Sequence, residues 1–252
     1  MCTGVRFADA AGNLYFGRNL DWCESYGEGV VITPRGASIP TQFLGSLSPE
    51  HACVGMGIVV GGVPCYFDCA NEAGLAIAGL NFPGYAQFAE APEKGAVNVA
   101  AYEFPLWVAA SFSTVAEVRK ALKDVVIVAK APSEGYGVAQ LHWLVGDGKE
   151  SIVIECQADG MHVYDDGLDV LTNQPPFPWH TENVRNYMHI ETAHPEPVAW
   201  TRDTLRAFGS GAGMIGFPGG YDQPLRAGRL PERALPRRRR RGRQRDAPVP
   251  HA

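Results

Sequence analysis

The sequence predicts an α+β protein of antiparallel sheets covered by helices. Three observations predict it. Short strands punctuated by glycine- and Asn-containing turns fill the first eighty or so residues. Two helix-period segments follow between about residues 98 and 123, and strand pairs joined by Asp/Gly turns then return as far as residue 172. Strand-rich blocks with helical blocks between them are the pattern of sheets packed against helices.

Cys2 to Ala8 and Leu14 to Leu20 read as a hairpin. The turn between them, Asp9-Ala10-Ala11-Gly12-Asn13, supplies Gly and Asn, which accept the positive φ of a hairpin turn. Further strands are expected at Gly29 to Thr33, Val54 to Val60, Pro64 to Ala70 and Leu75 to Gly79. Glycines 55, 57, 61 and 62 mark bends or close packing in that block. Asn98 to Ala110 is apolar at helical spacing, with a break expected at Pro105. Thr114 and Glu117 make a capping-box pair that opens a helix to about Lys123. Strands are then expected at Val125 to Val128, Gln140 to Gly146 and Ser151 to Gln157, the last two joined by Gly146-Asp147-Gly148-Lys149. His162 to Tyr164 and Leu168 to Thr172 read as another hairpin through Asp165-Asp166-Gly167, and Glu182 to Glu191 as a helix.

The residue with most chemical content is Cys2. A side chain this small behind the initiator allows Met1 to be trimmed, which would put a thiol and a free α-amine on one residue. The thiolate is the nucleophile, and an α-amine titrates near neutrality, at roughly 7.7–8.0. Nucleophile and base then share a residue. On position alone, a small buried hydrophobe is the commoner meaning of such a cysteine. The second strand changes the weighing. Leu14, Phe16, Arg18 and Leu20 share one face. A guanidinium in an apolar row either snorkels to the sheet edge or meets an anion. A Cys2 thiolate is a suitable anion, and Arg18 would favour its ionised form. Asp21, just past the strand, is placed to orient the α-amine. Asn81 and Asn173 each end an apolar strand before a Pro-containing turn. Turn formation is the usual reason for Asn there; near a nucleophile an Asn amide can also donate to a developing oxyanion, worth roughly 2.7–4 kcal/mol for one donor.

Met1-Cys2-Thr3-Gly4, Gly17-Arg18-Asn19-Leu20-Asp21-Trp22, Phe67-Asp68-Cys69-Ala70-Asn71-Glu72, Gly79-Leu80-Asn81-Phe82-Pro83-Gly84-Tyr85 and Leu171-Thr172-Asn173-Gln174-Pro175 together resemble the choloylglycine hydrolases. These are the bile salt hydrolases, relatives of the penicillin V acylases, in the N-terminal nucleophile hydrolase superfamily. The resemblance runs almost continuously to about Gly220. It implies a four-layer αββα sandwich and cofactor-free cleavage of glycine- or taurine-conjugated bile acids through a thioester on Cys2. Arg18, Asp21, Asn81 and Asn173 match family site positions. The residue matching Asn81 is often Tyr in penicillin V acylases, which tilts the expectation toward bile salts. Arg226 falls at a further site position, although its surroundings depart from the family pattern and it equally reads as the first Arg of a solvated tail. Trp22, Tyr26, Phe67, Phe82 and Tyr85 flank the catalytic stretches as candidate walls of a steroid pocket, or as core. Rival activities of the same chemistry are cleavage of penicillin V or of an N-acyl homoserine lactone. The family also suggests a homotetramer.

Composition and charge limit the alternatives. The 252 residues are 46% apolar, ordinary for a globular chain with a substantial core. No apolar run is long enough to span a bilayer, and no basic-then-apolar leader opens the chain, so a cytoplasmic location is expected. The six cysteines are then expected as free thiols. His51, Cys53, Cys65 and Cys69 match no strong zinc spacing, so no metal is expected. From Arg226 onward there are ten Arg and two acids, net +8, whereas the other 225 residues hold twelve bases and 25 acids, net −13. An acidic body argues against nucleic acid as partner. The tail has the charge for it but no aromatic residue for stacking. The expected organisation is a hydrolase domain over residues 1–222, shortened relative to the family, and an Arg/Pro-rich tail over 223–252, with a changed reading frame near Asp222 to Leu225 or a truncation as its origin. A homologue inactivated by that change is the alternative from outside the enzymes.

Overall fold

The N-terminal hairpin forms from the two expected strands. β1 (Cys2–Ala8) and β2 (Leu14–Leu20) pair antiparallel from Cys2↔Leu20 to Ala8↔Leu14. The Asp9 carboxylate closes the turn, accepting from the Ala11 and Asn13 backbone N–H groups at 2.9 and 2.8 Å, while Gly12 takes φ +84°. The structure is a computed structural model and describes residues 2–188, 190 and 196–205. In chain order the elements that follow are β3 (Gly29–Thr33), β4 (Ile39–Pro40), β5 (Ser46–Leu47), β6 (Cys53–Val60), β7 (Val63–Asn71), β8 (Ala76–Asn81), β9 (Val97–Ala100), α1 (Phe104–Ser111), α2 (Val115–Ala121), β10 (Val125–Val128), β11 (Leu141–Gly146), β12 (Ser151–Gln157), β13 (Gly160–Asp165), β14 (Val170–Leu171), α3 (Phe177–Asn183), β15 (Val198–Trp200) and β16 (Asp203–Leu205).

Seven strands make one antiparallel sheet, in the order β13-β12-β11-β8-β7-β6-β3, and three make a second, β14-β1-β2. The central strands of the large sheet read as nearly unbroken apolar runs because both of their faces are covered. One face packs on helices: Tyr66, Cys69, Ile77, Trp143, Ile152 and Ile154 meet Phe104, Leu106, Val108, Val115 and Val118. The other face packs on the small sheet and the start of α3, where Ala78, Leu80, Leu144 and Val153 meet Cys2, Leu171 and Phe16 of the sheet and Phe177 of the helix. Gly4 permits that approach: a Cβ there would lie 3.1 Å from Leu144 Cδ2. Among the described residues the layers are therefore helix, sheet and sheet. The chain divides into two units, Met1–Asn186 and Tyr187–Ala252. In the second, β15 and β16 pair antiparallel with Val198 opposite Leu205.

Packing, not capping, holds α1. Seven of its eight residues are buried and no side chain caps its start. A cap contributes about 1 kcal/mol, whereas burying each of Phe104, Leu106 and Val108 contributes about 1.5–3 kcal/mol. α2 uses the expected capping box, with Glu117 N donating to Thr114 Oγ1 at 3.2 Å and the Glu117 carboxylate returning to the Thr114 N–H.

Three local expectations fail. The helix expected from Asn98 to Ala110 is split: Val97–Ala100 is a strand paired in parallel with β10, and α1 starts only at Phe104, with Pro105 in its first turn. Val97 and Val99 are β-branched and find a partner strand, which outweighs their helical spacing. The hairpin expected across Asp165-Asp166-Gly167 is a crossover, since β13 pairs with β12 and β14 pairs with β1. Long-range bonds set that path: Arg6 N donates to Asp169 O at 2.8 Å, and Ser151 Oγ donates to Asp169 Oδ1 at 2.6 Å. The helix expected from Glu182 begins earlier, at Phe177 with Pro178 in its first turn, and tightens into a 3-10 segment at Val184–Tyr187.

Two stability predictions follow from this packing. A Cβ at Gly55 would lie 2.0 Å from the Asp68 carbonyl oxygen and 2.6 Å from Cys69 Cα, so Gly55→Ala forces β6 and β7 apart. It should cost about 2 kcal/mol or more in chemical denaturation, and an unchanged midpoint would refute the close approach. At Asp166, burial pushes the carboxyl from its ordinary 3.8 to about 6, only partly offset by the Leu168 N–H, and its buried Oδ2 has no partner among the described residues. A raised carboxyl binds its proton more tightly in the folded state, so the native fold loses stability as pH rises from about 4 through about 6. Asp166→Asn should therefore raise Tm above pH 6 and leave it unchanged near pH 4. A Tm difference independent of pH would contradict this.

Candidate active site

Cys2 opens β1, and its place is set by the hairpin. Opposite it stands Leu20, and two rungs along, Gly4 stands opposite Arg18. Cys2 and Arg18 therefore share the face of the small sheet that packs on the large one. Both side chains are buried, at 3% exposure for Cys2 and 5% for the Arg18 side chain. Arg18 Nη2 lies 3.7 Å from Cys2 Sγ and donates to Gly79 O at 3.0 Å. Its Nη1 lies 3.9 Å from Asp68 Oδ2, and its buried Nε has no acceptor among the described residues. Burial pushes the Asp68 carboxyl up, and the Arg18 guanidinium opposes that rise. The guanidinium thus has a carbonyl and one carboxylate beyond hydrogen-bond range, leaving it free to interact with negative charge on the sulfur.

The other buried cysteines sit differently. Burial raises the Cys53 and Cys65 thiols to about 11 and Cys156 to about 12, and it raises Cys69 as well. They are small apolar fillers of the large sheet's packing. All six cysteines are free thiols, with Cys23 exposed. Among the described residues no group of three or more His, Cys, Asp or Glu side chains is placed to hold a metal.

Asn173 brings the second half of the site to Cys2. It follows β14, the strand of the small sheet that the chain reaches after leaving β13 of the large one, and which pairs with β1. Its Oδ1 accepts from the Cys2 nitrogen at 2.6 Å, and its Nδ2 donates to Asn81 O at 2.7 Å. Asn81 ends β8 opposite Leu141. One hydrogen of Asn173 Nδ2 remains for a further acceptor. The Asn81 side-chain amide makes no hydrogen bond among the described residues. Sulfur, guanidinium, the Asn173 amide and the Asn81 backbone carbonyl thus meet at one end of the contact between the sheets. Asp21 stands directly after β2, exposed, one residue beyond the Cys2↔Leu20 rung. Arg226 lies outside the described residues.

The aromatic candidates divide by exposure. Trp22, Tyr26 and Tyr85 are exposed, and Tyr26 meets the half-buried Phe67 edge-on at 5.9 Å. Phe82 is fully buried, stacked between Tyr85 at 5.3 Å and His142 at 4.3 Å. Two surface clefts, of about 400 Å³ beside Glu50, Ser113 and Lys120 and about 370 Å³ beside Tyr85, Gln87 and Gln157, open elsewhere and are lined by none of Cys2, Arg18, Asn81 or Asn173.

Three residues at this site went unremarked in the sequence, His142, Glu155 and His180, and Asp68 figured there only as part of a family motif. His142 and Glu155 are fully buried and joined at 2.9 Å, and His180 Nε2 donates to Asn173 O at 2.9 Å. The available signal was a His and a Glu interrupting the apolar runs of two strands joined by a short turn.

Comparison with known proteins bears on this constellation. The family model for linear amide C–N hydrolases, choloylglycine hydrolase family, matches residues 2–230. A bile salt hydrolase/transferase of Bifidobacterium longum is 54% identical over 227 residues, covering 90% of this chain and 71% of the relative. A conjugated bile acid hydrolase of Lactobacillus gasseri is 48% identical over 220 residues, 87% of this chain and 70% of the relative. A solved mutant of the conjugated bile acid hydrolase from Clostridium perfringens superposes with a TM-score of 0.78 at 35% identity, covering 87% of this chain and 67% of that one. On fold, sequence and the extent of the match, this chain belongs to the choloylglycine hydrolase family of linear amide C–N hydrolases and has the N-terminal nucleophile hydrolase fold.

Proposed function

We propose that the protein hydrolyses the amide bond of glycine- or taurine-conjugated bile acids, with Cys2 as nucleophile once Met1 is removed. The observation that supports this most is the position of the Cys2 nitrogen, 2.6 Å from Asn173 Oδ1, with Arg18 Nη2 3.7 Å from the sulfur of the same residue. Freed of Met1, that nitrogen becomes an α-amine held within reach of its own thiol. The similarity to bile salt hydrolases supplies the substrate class.

In this reading the α-amine takes the thiol proton and the thiolate attacks the amide carbon. Arg18 supports the negative sulfur before attack. The oxyanion is met by the spare Asn173 Nδ2 hydrogen and by the Asn81 amide. The C–N bond then breaks, and the proton held by the α-amine passes to the departing glycine or taurine nitrogen. Water, deprotonated by the same amine, hydrolyses the thioester and releases the bile acid. Asp21 orients the α-amine from the end of β2. Trp22, Tyr26, Phe67 and Tyr85 line the steroid side, with Phe82 behind them. Arg226, which falls inside the family match, completes the charged set. The hydrolase domain is assigned to residues 1–222, the Arg/Pro-rich stretch 223–252 to a separate tail, the location to the cytoplasm and the assembly to a homotetramer.

The assignment is tested by incubating purified protein with glycocholate, taurocholate and penicillin V and following amine release. Release from the bile salts, and its abolition in Cys2→Ala, is the expected result; release from penicillin V alone would overturn the substrate class. Asn173→Ala removes an oxyanion donor and should lower kcat by about 10²–10³-fold. A kcat within twofold of the parent enzyme would remove Asn173 from that role.

A further inference from the structure

Behind the two asparagines lies a polar group that the proposed chemistry does not touch. His142 and Glu155 sit on β11 and β12, both fully buried, one position beyond the Trp143↔Ile154 rung. His142 Nε2 lies 2.8 Å from Thr172 O, a pure acceptor, so Nε2 carries a hydrogen. The other ring nitrogen lies 2.9 Å from Glu155 Oε1. The carboxyl also accepts from Phe177 N at 3.0 Å and from Gln157 Nε2 at 3.1 Å, so both of its oxygens are held. A buried polar pair of this kind contributes little net stability over an apolar pair of the same volume. Its placement has another consequence. Thr172 O belongs to the peptide that leads into Asn173, and His180 holds the carbonyl on the far side of the same residue. The flat face of His142 stacks on Phe82, 6° from parallel, and Phe82 follows Asn81.

We propose that His142 and Glu155 are positioning residues for the amide hydrolysis proposed above, on which this inference rests: the pair fixes the Thr172–Asn173 peptide and the Asn81–Phe82 step together. Asn173 can then bridge the Cys2 nitrogen and Asn81 O with its spare hydrogen aimed at the oxyanion. Displacement of a catalytic group by about 1 Å costs on the order of 10²-fold in rate. The pair acts through Asn173 and touches no substrate.

The test is a double-mutant cycle on the full chain with glycocholate. Glu155→Gln and His142→Asn should each lower kcat about 10- to 100-fold with KM within about twofold. In an Asn173→Ala background neither should lower kcat further. Ile154→Val, a core change in the adjacent rung, reports the effect of lost stability alone and should leave kcat unchanged. Equal kcat losses in both backgrounds, or an unchanged kcat in folded single variants, would overturn the proposal and leave the pair a core element only. NMR on the parent and on Glu155→Gln supplies a readout independent of turnover. The parent should show His142 Nε2 bearing hydrogen, and the variant should move the Asn173 side-chain amide resonance; a bare Nε2 or an unmoved resonance overturns the proposal even if both variants of the cycle misfold. Absence of amine release by the parent, by contrast, is the failure of the functional reading itself.

Discussion

The site depends on one side chain placed between two sheets. Asn173 belongs to the chain that leaves β14 of the small sheet, accepts from the first residue of β1, and donates to the last residue of β8 in the large sheet. No local element supplies that bridge. It exists because the chain crosses after β13 of the large sheet to β14, which pairs with β1, and because Gly4 and the Leu80–Leu144 surface let the sheets close on each other. A net hydrogen bond stabilises by only about 0.5–1.5 kcal/mol, so the bridge does not hold the layers together. The apolar contact does that, and the bridge decides which atoms meet at its edge.

The electrostatics follow from the same closure. A guanidinium with 5% of its side chain exposed has lost most of its water, and the protein gives it one carbonyl and a carboxylate 3.9 Å away. Burial also raises the Asp68 carboxyl, which weakens Asp68 as a counter-ion. Charge on a neighbouring sulfur is what such an arrangement can best accommodate. The remaining buried cysteines face apolar side chains or carbonyls, where burial raises the thiols, Cys53 and Cys65 to about 11, Cys156 to about 12 and Cys69 well above its ordinary value.

Much of this was legible in the chain, for identifiable reasons. The hairpin of β1 and β2 was written in local turn chemistry, and its alternation alone placed Arg18 on the face of Cys2. The α2 capping box was likewise local. The αββα architecture came from family resemblance and not from periodicity. What was not legible is what depends on pairing at a distance: the parallel partner that turns Val97–Ala100 into a strand, the crossover at Asp165–Asp169, and the clamp by Asn173. His142 and Glu155 were within reach. Counting back from the Gly146–Ser151 turn puts them opposite each other, and a His facing a Glu inside apolar strands has few meanings other than a buried pair.

The central claim is that the first residue of β1 becomes the first residue of the chain and forms the covalent intermediate. Rapid acid quench of the protein with taurocholate, followed by intact and peptide mass spectrometry, reads both facts at once. The account predicts a transient cholyl adduct on an N-terminal peptide that starts at Cys2. Turnover by protein that keeps Met1, or an acyl group trapped on any other residue, would contradict it.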